Sequence, residues 1–431
     1  MEQSPPNSWG EGISPVVQVH FSRWMLAFLA LLLIGPWLVV AWLWLGPRLG
    51  HATAHAAAAE DLEPQPEPFV AGKPGPWGVV ETRPIRIELP DEFVFVPPAT
   101  QPPVRWLFKG YSKERTIEFL RSSGLTEAQL EQLEKAGWKT ETAGASIEPG
   151  DDLVLSLTPE ARAKVYSFLV EISENSRCID PIWFRPGQVD ARLKDSGLDD
   201  ATIELLKGLL YPQGEDLLLF ADFEPAVRRV QGERERHEFM QALSRKRSLL
   251  ARLRIGPDSD VNEVINYWSA GGRRKDVGPL LHAVKREGQG TLGIISLLPR
   301  FMRNHLYNHP FTTTDPSAVK QDCFWSAMNA FSDVPDNRFN DMAYVKEVLM
   351  RDYYSIVEPS QLGDLIFLTT RDETVIHAAS YVADDIVFTK NGASYTQPWI
   401  LMHHQDMYDT YVVRYPLSGP LKVLYFRRKA S

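Results

Sequence analysis

Apolar residues follow three patterns along this chain, and each predicts a different element. At Phe324, Ala327, Met328 and Phe331 the spacing is i, i+3, i+4, i+7, which predicts a helix with one buried face, starting at Cys323 and capped by Asp322. Two short apolar runs, residues 364–369 and 375–382, are bounded by polar turn residues and predict adjacent strands, with His377 on the second. Residues 85–89 and 93–96 predict two further strands, and residues 234–253 a charged helix. Residues 24–45 are an uncharged apolar run of about 22 residues, long enough to cross a bilayer as a helix.

The middle of the chain repeats itself. Residues 120–133 return as residues 193–206, an offset of about 73 residues. The turn chemistry returns too: Gly124 and Gly197 suit the position after a helix, and Thr126 and Asp199 suit the N-cap of the next. Residues 153–159, ahead of a helix ending near Tyr166, recur as residues 292–299, ahead of one ending near Tyr307, with a weaker middle copy at residues 216–220. Residues 267–272 fit a degenerate third helical turn. Residues 100–310 are therefore read as about three degenerate α/β repeats, each too small to bury its apolar face alone. Such an array serves either as a binding surface or as a scaffold presenting the C-terminal domain.

Composition sharpens this picture. With 431 residues, 44% of them apolar, the chain divides into a tail (1–22), a membrane anchor (23–46), a Pro/Ala-rich linker (47–78), the repeat region (79–310) and a C-terminal domain (311–431). Trp24, Trp37, Trp42 and Trp44 include residues placed for membrane interfaces. An A-x-A-like site at Ala54-His55-Ala56 keeps a cleaved signal open as the alternative to an anchor. Either way the bulk of the chain lies outside the cytoplasm. A net charge of −9 excludes nucleic-acid binding through a global basic field, and Arg427-Arg428-Lys429 reads as a solvated tail. His51 and His55 match no metal-ligand set. The only cysteines are Cys178 and Cys323, too few for a disulfide framework, though a single bridge between them would silence Cys323.

A cysteine at a helix N-terminus meets unpaired N–H groups and the positive end of the helix dipole, which favour the thiolate that a nucleophile requires. The bland reading is a buried structural cysteine. Asp322-Cys323 at the head of a helix, Gly363-Asp364-Leu365 entering a strand, and the His-x-x-x-Tyr-Val strand from His377 to Val382 together resemble the NlpC/P60 superfamily of papain-like cysteine peptidases and amidases. The resemblance covers about the last quarter of the chain. It implies an α+β fold in which the helix bearing the cysteine packs on an antiparallel sheet. It implies Cys323 as nucleophile, His377 as base, no cofactor, and amide bonds of peptidoglycan stem peptides as substrate.

The chain departs from that family in two places. Phe324-Trp325 replaces the usual Ser-Gly, so Trp325 would narrow the cleft if it projects over the helix end. The third polar residue falls on Thr389, a poor orienter of imidazole, with Asn391 two residues on along the same strand face. Asn391-Gly392 is also an ordinary turn pair. His403, His404 and Asp406 are outside candidates for the same role or for a metal. His305 and His309 lack the glutamate of a zinc peptidase motif, and Tyr381 reads as a half-buried core tyrosine. There are two rival readings: a catalytically silent envelope-binding member of the same fold, and a transglutaminase-like core using Asp384 or Asp409.

Overall fold

Every pairing between named strands is antiparallel in the computed structural model, which describes residues 67–98, 104–175, 181–193, 195–311, 319–416 and 419–430. The apolar run at 24–45, its flanks, His51, His55 and Cys178 lie outside the described residues. Among the described residues no helix is long and apolar enough to cross a membrane.

Val70–Ala71 (β1) and Val79–Ile87 (β2) come first. The expected strand at 93–96 is absent: a 3-10 turn, Asp91–Phe93, follows Pro90. The first repeat then runs Trp106–Lys109 (β3), Lys113–Ser123 (α1), Glu127–Ala136 (α2), Lys139–Glu141 (β4), Gly144–Ile147 (β5), Asp151–Leu155 (α3) and Pro159–Leu169 (α4). The second runs Ile182–Phe184 (β6), Val189–Leu193 (α5), Asp200–Gly208 (α6), Tyr211–Gln213 (β7), Leu217–Phe220 (β8), Phe223–Arg229 (α7) and Glu233–Ser244 (α8). The sheet orders are β3-β5-β4 and β6-β8-β7, the same topology twice. The turns behave as their chemistry requires. Gly124 adopts a φ of 109°, open to glycine at little cost, and Thr126 closes a capping box with Gln129. In the second copy Asp199 accepts from the Thr202 N–H at 2.7 Å.

The third unit contains Lys246–Ile255 (β9), Val261–Trp268 (α9), Arg274–Arg286 (α10), Gly290–Gly293 (β10) and Arg300–His305 (α11), with Gly271 and Gly272 at the turn between α9 and α10. The helix expected over 234–253 ends at Ser244. Beyond it Leu249, Ala251, Leu253 and Ile255 are buried in alternation with Arg252 and Arg254, and that period of two makes β9 the central partner of β2.

The C-terminal part comprises Cys323–Met328 (α12), Met342–Asp352 (α13), Tyr353–Ile356 (β11), Leu365–Thr369 (β12), Val375–Ala383 (β13), Ile386–Lys390 (β14), Trp399–His403 (β15), His404–Val412 (α14) and Lys422–Arg428 (β16). Its six-stranded sheet has the order β11-β16-β12-β13-β14-β15. The structure is thus α+β, with the cysteine-bearing helix on an antiparallel sheet. One sheet face packs Phe367, Ala378 and Phe388 under Trp325 and Ala327 of α12. The other packs Leu368, Tyr381 and Val387 under Met407 and Tyr411 of α14. The first of these cores continues into Leu253 of β9 and Trp268 of α9, so the boundary expected near residue 310 falls inside one apolar cluster. Ser248 of β9 also donates to the Leu401 carbonyl at 3.0 Å and accepts from its N–H.

The first two repeats are joined by a buried charge pair. Arg162 of α4 donates to Asp222 at 2.7 Å and to the Val154 carbonyl, and the Tyr166 hydroxyl also donates to Asp222. Burial pushes the Asp222 carboxyl up to about 6 against the pull of Arg162. Removing one member strands the other in an apolar site. Arg162→Met is expected to lower stability by about 3–5 kcal/mol, read from the urea midpoint, whereas Arg121→Met, at the exposed pair with Glu127, should leave that midpoint nearly unchanged.

Candidate functional site

Asp322 and Cys323 stand as the local sequence predicts. The Asp322 carboxylate accepts from the Trp325 N–H at 2.8 Å, and Cys323 is the first residue of α12. The helix closes after Met328, so Phe331 lies beyond it, and its dipole spans less than two turns. Cys323 is free and buried, 5% exposed. Burial pushes its thiol up to about 12; the Asp322 charge adds to this and the Ala378 backbone N–H opposes it. The side chain of Trp325 does not project over the helix end. It is buried against Phe301 and Trp399 and donates to Asn337 at 3.2 Å.

His377 and Thr389 are brought together, but not with Cys323. The His377 Nε2 and Thr389 Oγ1 share a hydrogen bond of 2.9 Å, and the imidazole stacks on Tyr411 of α14 with ring centres 4.2 Å apart. Its Nδ1 has no partner. Side chains alternate along β13, so His377 lies on the face covered by α14, and Ala378 lies on the face covered by α12. The expected cysteine–histidine dyad is therefore not formed. The group of β13 that meets the sulfur is the Ala378 backbone N–H. Burial, reinforced by the Arg414 charge, pulls the imidazole down to about 3, which keeps it neutral near neutral pH.

Asn391 does not complete a triad either. Its Nδ2 reaches only the Met402 sulfur, at 3.6 Å, and its Oδ1 has no partner. His403 pairs with Asp385 at 2.9 Å, while Asp406 and Asp409 hold Arg185. Among the described residues no three His, Cys, Asp or Glu side chains are grouped to hold a metal. Gly363-Asp364-Leu365 has a structural task. Asp364 accepts from the N–H groups of Ser360 and Gln361 and binds Arg427 through two hydrogen bonds of 2.8 and 2.7 Å. A Cβ at Gly363 would collide with the Phe331 ring, and its φ of 94° is itself a glycine conformation. The C-terminal basic residues are accordingly no solvated tail: Arg427 is on β16, and Lys429 donates to the Arg351 carbonyl at 2.7 Å.

Lys390 was not expected at this site. It ends β14 on the Phe388 face, fully buried, and its ammonium donates to the Gly392 and Ser394 carbonyls at 2.7 and 2.9 Å. Burial pulls it down to about 8, against the pull of the Asp322 charge. The sequence did carry a signal: a lysine closing an otherwise apolar strand, in the register opposite to Thr389.

No protein-family model matches this chain, and no curated protein or solved structure is similar to it at a significant level. The likeness to NlpC/P60 proteins thus rests on the motif residues alone.

These environments can be tested in solution. With few thiolates and little access, Cys323 is expected to react with iodoacetamide at neutral pH at least about 100-fold more slowly in the folded chain than in the urea-unfolded one. A comparable rate would reject the buried, protonated thiol. Below its usual 6.5 and down to about 3, His377 takes a proton only on unfolding, so stability rises with pH across that window. His377→Gln should reduce the rise between about pH 5 and about pH 7 by up to about 1.4 kcal/mol per pH unit over the titrating range. An unchanged slope would show that His377 is not held neutral.

Proposed function

We propose that this chain is an exported, membrane-tethered envelope protein whose C-terminal NlpC/P60-like domain binds cell-wall material without cleaving it. One observation carries this reading: His377 is bonded to Thr389 and stacked on Tyr411 on the face of the sheet covered by α14, while the group of β13 that meets the Cys323 sulfur is the Ala378 backbone N–H. The high thiol pKa and the burial of Cys323 point the same way. A thiol attack needs a base within hydrogen-bond reach of the sulfur, and imidazole bonded to Thr389 behind the sheet cannot supply it. The repeat region then contributes surface, and the tether places it against the wall.

The hydrolase reading keeps one specific support, the buried Lys390 beside Cys323 and Asp322, which would act as base in place of His377. Incubation of the full-length protein in detergent with purified sacculi separates the two. Wild type and Cys323→Ala are expected to sediment with sacculi equally, with no peptide released by either. Peptide release by wild type, lost in Cys323→Ala and Lys390→Met, would establish hydrolysis instead. Failure of both proteins to sediment would end the envelope-binding reading.

A further inference from the structure

Arg162, Arg185, Arg228, Arg252 and Arg427 each reach a carboxylate. The start of α10 and the whole of α11 differ. Arg274, Lys275, Arg300 and Arg303 are exposed, and among the described residues none of them is in an ion pair; Arg274 donates to the side-chain oxygen of Asn266, a neutral acceptor. These residues share one surface. Arg273, at the head of α10, donates to the Trp268 and Ala270 carbonyls at 2.6 and 3.0 Å and to the Leu297 carbonyl at 2.7 Å. It thereby ties the turn before α10 to the 3-10 turn Ile294–Leu297 that leads into α11. Phe301 and Met302 are buried in the core, which leaves Arg300 and Arg303, three apart on α11, on the outer side. Burial pulls the Arg273 guanidinium down to about 10; Asp276 opposes this and the Arg303 charge adds to it, so the two helices bring like charges together. The carboxylates on the adjoining stretches are Asp276 of α10 and Asp333, two residues past the Phe331 ring that backs Gly271. The cations outnumber them, and this surface is positive in a chain whose net charge is −9.

Two apolar side chains flank the cations. Leu280, one turn along α10 from Asp276, is 41% exposed, and Ile295, in the 3-10 turn held by Arg273, is 37% exposed. A soluble polyanion uses the charges alone, whereas a bilayer interface takes up the charges and the apolar groups together. The chain before the described residues narrows the choice further. Residues 46–66 reach no more than about 75 Å when fully extended, so a membrane that holds residues 24–45 stays within range of this surface.

We propose that the face formed by the start of α10 and by α11 docks on the anionic lipid headgroups of the membrane in which residues 24–45 are embedded. Such docking rests on the tether in the function proposed above, and adds where the tethered part lies. Arg274, Lys275, Arg300 and Arg303 would meet the lipid phosphates, and Leu280 and Ile295 would enter the headgroup layer. The tether keeps this surface at a high local concentration near the lipid, so contacts that are weak singly suffice to hold it there.

The test is hydrogen exchange on the full-length protein in lipid nanodiscs of phosphatidylcholine alone and of phosphatidylcholine with about 30% phosphatidylglycerol. The amides of residues 273–286 and 300–305 are expected to exchange at least about threefold more slowly in the phosphatidylglycerol discs, and about 0.5 M sodium chloride should remove the difference. Lys275→Glu combined with Arg303→Glu should abolish the slowing and leave the melting temperature unchanged, because both side chains are exposed. Equal exchange in the two discs, or slowing that survives the double substitution, would overturn the docking. Equal slowing by soluble polyphosphate in phosphatidylcholine discs would also overturn it, by assigning the surface to a soluble polyanion. Retention of the protein by phosphatidylcholine discs on gel filtration reads the tether separately. Retention by the phosphatidylglycerol discs alone would reject the tether and leave the lipid contact standing; retention by neither would reject both.

Discussion

Burial of β13 on both faces is the constraint on which the rest of the C-terminal half depends. From His377 to Ala383 every residue of that strand is buried, because α12 and its core cover one side and α14 covers the other. In such a strand a residue's parity decides which chemistry it can join, and a slip of one position would exchange the two sets. The register is held at one end by the Gly363-Asp364 turn. The Gly363 N–H donates to the Tyr381 carbonyl at 2.9 Å and the Tyr381 N–H to the Asp364 carbonyl at 2.8 Å. Asp364 is itself fixed by Arg427, so the motif residues that resemble a catalytic family act here by setting which side His377 faces.

Polar groups inside this structure are accommodated in two ways. Asp364 and Arg162 have charged partners and further hydrogen bonds, which is what makes a buried charge tolerable. Lys390 and His377 have neutral ones, carbonyls for the ammonium and a hydroxyl for the imidazole. Neutral partners offset less of the desolvation cost, and both groups are pulled toward their uncharged forms. That is the physical difference between a side chain buried to hold the fold and one whose protonation is coupled to it.

Local chemistry was legible in the sequence. The cap at Asp322, the strands at β12 and β13, the Gly124 and Gly197 turns and the two-fold repeat are all dictated within a few residues, and the structure has them. The His377–Thr389 pair was legible through the resemblance, whose third polar position falls on Thr389, and the two side chains share a hydrogen bond. What sequence could not convey was the side of the sheet on which α12 would pack, because α12 is distant in sequence and its apolar residues fit either face. The strand β9 was hidden for a related reason. Its arginines mimic a charged helix until β2 pairs with it and shows which residues alternate. Lys390 was hidden by parity: the family pattern marks the strand face of Thr389, and the lysine next to it faces the other way.

The same helix that closes His377 off is also the one that the second repeat grips. Tyr411 of α14 stacks on the imidazole, Asp406 and Asp409 of α14 hold Arg185, and the Trp183 indole donates to Thr410 at 3.2 Å. A substrate approaching His377 would have to displace α14, and with it the contacts that dock the second repeat on the sheet. The histidine is thus shielded by the interface between the repeats and the C-terminal sheet as well as by its own strand. The repeats are for the same reason no detached scaffold: moving them would open the rear face of the sheet. Function in this half of the molecule is more readily built on surfaces that exist only when both parts are assembled than on a thiol sealed beneath one of them.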